Sequence, residues 1–177
     1  MRTSRFILAA LLISITLSAT TVVPASVERL TVESTHVVLA QAVDSRASWN
    51  ADHTRIYTYT RFQLLQSMKG TLPQSFTVKR LGGSAEGYTM KVAGVRSWRP
   101  GEQAVLFLQP DIDNTFFTTS LMQGDFRIQR QASGTLTVSN GVSGAKQVQA
   151  NGQLTEFQGS RMTLDELQRR VRRVASQ

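Results

Sequence analysis

The chain has no cysteine among its 177 residues. That absence removes disulfide staples, thiol nucleophiles and every Cys-based zinc site. Histidine is nearly as scarce: only His36 and His53 occur. A metal centre would have to complete its three or more ligands with carboxylates. Acids are outnumbered by Lys and Arg, 12 against 20, giving a formal charge of +8. Beyond the first residues, no apolar run is long enough to span a bilayer. There is no G-x-S-x-G, so no nucleophile stands in a recognisable setting.

The N-terminus reads MRTSRFILAALLISITLSATTVVPAS. Arg2 and Arg5 form a charged start, Phe6 to Ala19 is apolar apart from Ser and Thr, and Val23-Pro24-Ala25 offers a cleavage site. This is the layout of a secretory signal peptide over residues 1–25, and it implies an exported protein, periplasmic or extracellular. An uncleaved anchor is the alternative, disfavoured by the Ser/Thr content and the Val-Pro-Ala site. Cleavage leaves residues 26–177, enough for one domain that buries about two thirds of its unfolded surface. The basic charge is uneven. Arg2 and Arg5 leave with the signal, and five arginines against two acids in 161–177 carry +3. The body, 26–160, retains only +3, which weakens a polyanion-binding role for the domain itself.

Period-two patterning dominates the body. THVVLAQAV (35–43), RIYTYTRFQLLQSM (55–68), QSFTVKRL (74–81), YTMKVAGV (88–95), QAVLFLQP (103–110), TFFTTSLM (115–122) and DFRIQRQ (125–131) read as strands rich in β-branched and aromatic residues. The 55–68 strand is long enough to bend and serve two parts of a sheet. Asn140-Gly141 and Asn151-Gly152 are hairpin signals. At the end the period changes. Thr163-Leu164-Asp165-Glu166 is a capping box, and Leu164, Leu167, Val171 and Val174 share one helical face. Acids open this helix and arginines close it, matching its dipole. The pattern predicts a mainly β barrel domain over 26–160, with an added hairpin and an amphipathic α-helix in 161–177 docked on it.

GGSAEGYT (82–89) has the glycine spacing of a phosphate-binding loop, with Thr89 in the last position. The lysine is replaced by Tyr88, and a strand pattern rather than a helix follows, so charge and dipole are both missing. A hairpin turn using glycine's positive φ is the better reading. Asp111 and Asp113 flank a turn after Pro110, where Asp is a good turn residue. Glu33, His36, Asp44, Asp52 and His53 could converge on a metal only if the 43–55 loop folded back over the first strand, and none is expected to bind one. No cofactor motif is present. Trp49, with Asp52 and His53, sits in a polar loop, and Trp98 stands beside Arg96 and Arg99. Each tryptophan is either an exposed aromatic of a binding surface or a barrel-end plug.

The order THVVLAQAV, RIYTYTRFQLLQSMKG, FTVKRLGG, GEQAVLFL and QGDFRI resembles a group of small secreted bacterial proteins without assigned activity. More remotely it is similar to the netrin-like module of tissue inhibitors of metalloproteinases. The resemblance covers 33–130 and rests on turns and core positions. It implies an OB-like barrel and a binding role. Those inhibitors present a disulfide-tied N-terminal cysteine to the protease zinc. No cysteine exists here, so no inhibitory residue transfers.

The reading is therefore a non-catalytic binding or accessory module that recognises a protein or a cell-envelope glycan, with Trp49, Asp52, His53, Trp98 and Arg99 as candidate contacts. Export makes nucleic acid an unexpected ligand. A single-strand-binding OB domain would use Arg61, Lys79, Arg80 and Lys91 with Tyr57, Tyr59 and Tyr88. A hydrolase or metalloprotein would use His36 or His53.

Overall fold

A computed structural model describes residues 21–141, 146–148 and 152–177. The predicted signal segment lies outside the described residues up to position 20. Strand β1 (Thr21–Val22) leads to helix α1 (Val27–Glu33). Strands β2 (His36–Trp49), β3 (Ile56–Lys69) and β4 (Ser75–Leu81) form a meander. A short hairpin follows, β5 (Gly83–Ala85) with β6 (Tyr88–Met90). Next come β7 (Gln103–Pro110), β8 (Phe116–Thr118), a 3-10 turn (Leu121–Gly124) and β9 (Asp125–Arg130). Strands β10 (Leu136–Ser139), β11 (Lys146–Val148), β12 (Leu154–Glu156) and β13 (Arg161–Thr163) precede helix α2 (Leu164–Ala175).

Five strands close into a barrel. The order runs β7-β2-β3-β4-β8, and β8 pairs back onto β7. Only the β4–β8 contact is parallel; the other four are antiparallel. This is the strand order of an OB-type barrel. Three register shifts between β2 and β3 coil the two long strands around it. Past Gln41, where β2 leaves β7, the two strands continue as a ribbon flanked by β4, with Trp49 opposite Ile56 at its tip.

Strand β7 explains why its sequence is apolar without alternation. Ala104, Leu106 and Leu108 fill the barrel with Val38, Phe62, Phe76, Val78 and Trp98. Val105 and Phe107 face the other way, against α1 and α2. The capping box forms as predicted: the Glu166 backbone N–H donates to Thr163 Oγ1 at 3.2 Å. Leu164, Leu167 and Val171 are buried on the domain. Burying Leu167 fully contributes about 1.5–3 kcal/mol. No described helix is long and apolar enough to cross a membrane.

Four local expectations differ from the structure. The polar stretch after Val43 is strand through Trp49, not loop. Only Tyr88–Met90 of the 88–95 segment is strand, and the rest is an irregular strap. Only Phe116–Thr118 of 115–122 is strand, before the 3-10 turn. Asn140-Gly141 is not a hairpin: β10 pairs with β9 and β13. Asn140 is buried instead, donating to the Gln123 carbonyl at 2.7 Å and accepting from the Ser160 N–H at 2.7 Å. Around the second signal, β11 and β12 do pair antiparallel, with Asn151 itself outside the described residues.

Candidate binding groove

GGSAEGYT resolves into the β5–β6 hairpin, with Glu86 and Gly87 both at positive φ in its turn. That pair of φ angles is what a two-residue hairpin turn requires. The hairpin and the strap from Lys91 to Ser97 lie over the barrel mouth. Gly83 makes the close approach possible, since a Cβ there would stand 2.4 Å from Thr58 Oγ1 and 2.9 Å from Ala47 Cβ.

Beneath this cover run two adjoining cavities of about 970 and 460 Å³. They share Arg80, Leu81, Val92, Ala93 and Val95. The wider one is lined by hydroxyls, Thr58, Thr60, Ser84, Thr89 and Ser97, and by the cations Arg80, Lys91 and Arg96. No carboxylate lines it. The narrower one is more apolar, with Phe117, Leu121 and Met122 on one wall and Lys79 and Asp111 at its edge. Its lip carries backbone strain, as Ser120 and Leu121 are consecutive non-glycine residues at positive φ.

The floor is held by a buried charge cluster around Asp125, which is 1 % exposed. Arg80 donates to Asp125 Oδ2 at 2.9 Å, Trp98 Nε1–H donates to Oδ1 at 3.3 Å, and Arg96 Nη2 lies 3.5 Å from Oδ2. The Arg80 guanidinium also stacks over the Trp98 ring, 3.1 Å from its centroid. Burial pulls Arg80 down to about 10, against the attraction of Asp125. Burial likewise pulls Arg96 down. Arg96 ties the strap in place by donating to the Asp125 carbonyl at 3.0 Å. Arg127 donates to the Ser97 carbonyl and stands 3.6 Å from Glu102. The Nε–H groups of Arg96 and Arg127 are buried without an acceptor.

The predicted contact residues separate into two places. Trp49 stands at the ribbon tip, stacked on His53 at 5.8 Å and edge-on to Tyr88 at 5.6 Å. Tyr88 is 65 % exposed. Asp52 is exposed in the turn beside them, where Asn50 Oδ1 accepts the Thr54 and Arg55 N–H groups. Trp98 is a plug, 4 % exposed within the barrel core. Arg99 is exposed, on a turn that bonds back to Ala42 through Gly101 N–H. Ala42 lies seven residues before Trp49, so the two loops do not meet at one barrel end.

The outer face of β3 and β4 differs in character from the groove. Lys79 covers the Tyr57 ring at 4.9 Å, and Arg46 covers Tyr59 at 5.9 Å. Lys79 is itself paired with Asp111 and Asp113, at 3.1 and 3.0 Å. Burial opposes its charge, but bonds to the two aspartates outweigh that and raise its pKa. Arg61 is paired with Asp44 through a 2.9 Å bond from Nε.

His36 packs edge-on against Phe116 and bonds Thr35 Oγ1 through Nδ1 at 2.8 Å. Burial lowers its pKa, assisted by Lys69 nearby. Among the described residues, no three His, Asp or Glu side chains are grouped so as to hold a metal ion. Sequence reasoning missed Arg96, Asp125, Ser84 and Thr89 as site residues. Asp125 and Arg80 are 45 positions apart, and no local pattern joins them. No protein-family model and no curated protein matches the chain.

Proposed function

We propose that the protein is a non-catalytic binding module acting outside the cytoplasm, and that its ligand is a cell-envelope glycan lying in the wider half of the groove. The observation that carries this reading is the lining itself: five hydroxyl side chains and three cations, with no carboxylate, on a preformed concave surface. Hydroxyls and guanidinium groups suit a hydroxyl-rich chain. The same hairpin that brings Ser84 and Thr89 to the groove carries Tyr88 against Trp49, an aromatic patch against which a sugar face can pack.

Single-stranded nucleic acid is the weaker ligand for this surface. Base stacking needs free aromatic faces, whereas Tyr57 and Tyr59 are each covered by a cation and Trp98 is buried beneath Arg80. Two of the cations on that outer wall are also neutralised by aspartates.

The test is titration calorimetry of residues 21–177 against solubilised envelope polysaccharide, with oligo-dT and an envelope protein fraction in parallel. Saturable binding to the polysaccharide fraction, weakened about tenfold (~1.4 kcal/mol) by Trp49→Ala or Tyr88→Ala, is the expected result. Binding to oligo-dT or protein alone would refute the reading, as would polysaccharide binding that both variants leave unchanged.

A further inference from the structure

We infer that the groove selects an acidic glycan, and that Lys91 and Arg96 read its negative charge. The inference rests on the glycan reading above and adds the chemical class of the ligand. Around the floor, Arg80, Arg96 and Arg127 stand against only Asp125 and Glu102, which leaves one positive charge uncompensated. Lys91 adds a second: it is exposed, lines the groove, and makes no ion pair among the described residues.

The Arg96 charge is fixed before any ligand arrives. Arg96 is held by the Asp125 carbonyl at 3.0 Å and the Gly141 carbonyl at 3.4 Å, so it cannot swing out to pair elsewhere. Its buried Nε–H has no acceptor. A concave site with low-dielectric walls and one sign of charge concentrates the field. An anionic chain entering it gains attraction without any rearrangement of the protein. A neutral glycan gains only hydrogen bonds that water also offers. The outer face contrasts in its balance: Lys79 faces two aspartates and Arg61 faces one, whereas the groove cations outnumber the acids beside them. A uronate carboxylate and a phosphodiester offer the same chemistry here, oxygen acceptors with a full negative charge.

The experiment compares residues 21–177 binding to oligogalacturonate, to the same oligomer after carboxyl reduction, and to polyglycerol phosphate, each at several salt concentrations. Lys91→Gln is the informative variant because Lys91 is exposed and unpaired, so the fold does not depend on it. The expected result is binding to one or both acidic chains and none to the reduced oligomer. Lys91→Gln should weaken it about three- to tenfold and reduce the slope of log affinity against log salt by about 1. Which acidic chain binds tells carboxylate from phosphodiester. Equal binding of the reduced and acidic oligomers overturns the inference and leaves the glycan reading standing. Acid binding that Lys91→Gln leaves intact also overturns it. If no glycan binds while oligo-dT does, the glycan reading and this inference fail together.

Discussion

Replacing Asp125 by Asn tests whether the charge cluster under the groove holds the fold. Asp125 is 1 % exposed and both of its oxygens accept, Oδ2 from Arg80 and Oδ1 from Trp98. An asparagine of the same shape must turn its NH₂ towards one of those donors, so one bond is replaced by a donor facing a donor. It also removes the carboxylate bonded to Arg80, whose side chain is 8 % exposed. Removing one partner of a buried ion pair costs about 3–5 kcal/mol, because the remaining charge stays desolvated. For a chain of this size, each kcal/mol lowers the melting temperature by about 2–4 °C, so a fall of ~6–20 °C is expected. Urea denaturation followed by far-ultraviolet circular dichroism gives the free energy directly, provided the m-value is unchanged. The double variant Arg80→Met/Asp125→Leu removes both charges and should recover most of the loss. A loss below about 1 kcal/mol for Asp125→Asn would refute the reasoning, because it is smaller than even the low end expected for a broken buried pair.

Gly83→Ala should unseat the cover hairpin: at φ +132° the new methyl meets Thr58 and Ala47. A stability loss of about 1–3 kcal/mol is expected, and faster hydrogen exchange at Ser84–Thr89 would confirm that the strain is local. Glu28 and Arg170 clamp α1 to α2 through bonds of 2.7 and 2.8 Å. The Arg170 bond lowers Glu28 from 4.5 to about 2, so the clamp stabilises fully above pH 4.5 and is lost as pH falls towards 2. Both side chains are partly exposed, so the gap between wild type and Glu28→Gln in denaturation midpoint should be under about 1 kcal/mol and should close by pH 2. A gap that stays constant with pH would count against the clamp. Chains beginning at Thr21 and at Ser26 should also differ. The longer one packs Val22 on Met122 and Phe157 and gives buried Gln123 two partners, the Ala25 N–H and the Val23 carbonyl. Losing these is worth about 2–4 kcal/mol, and equal melting temperatures would refute the packing.

What the sequence revealed about the fold depended on whether the cause was local. The α2 N-cap and the turn in GGSAEGYT are each dictated by neighbours a few residues apart, and each could be read directly. The outer half of β2 could not. Asp44–Trp49 pairs with β3 past the point where β2 leaves β7, and its residues are exposed or half-buried, so no core imposes apolar alternation there. Helix α1 has seven residues, two of them valine and one threonine, and is held by burial of Val27 and Leu30 rather than by propensity. Asn140-Gly141 misled for the opposite reason. Its local turn preference yields to side-chain bonds with Gln123 and Ser160, 17 and 20 residues away. The candidate site follows the same division. Trp49, His53 and Tyr88 attract attention by residue type, whereas the Asp125 hub is assembled from three separate stretches of chain, at 80, 96–98 and 125.

The hub also explains why a modest net charge can still define a binding surface. The body carries only +3 over residues 26–160, a value that argues against a polyanion site if the charge is spread evenly. It is not spread evenly. Asp44, Asp111 and Asp113 neutralise Arg61 and Lys79 on the outer barrel wall. Asp125 is drawn inward, where it fixes Arg80 and Trp98 and draws Arg96 to 3.5 Å, and the wider half of the groove keeps Lys91 with no carboxylate along its lining. The acids thus neutralise the barrel wall beside the groove and leave a positive charge at this concave site, while other unpaired cations, such as Arg169, Arg172 and Arg173 on α2, stand on convex surface. Specificity for charge then depends on where the acids sit rather than on how many bases the chain contains. Moving one acid into the groove, as in Thr89→Glu, should therefore abolish acidic-chain binding while leaving the net charge of the protein positive.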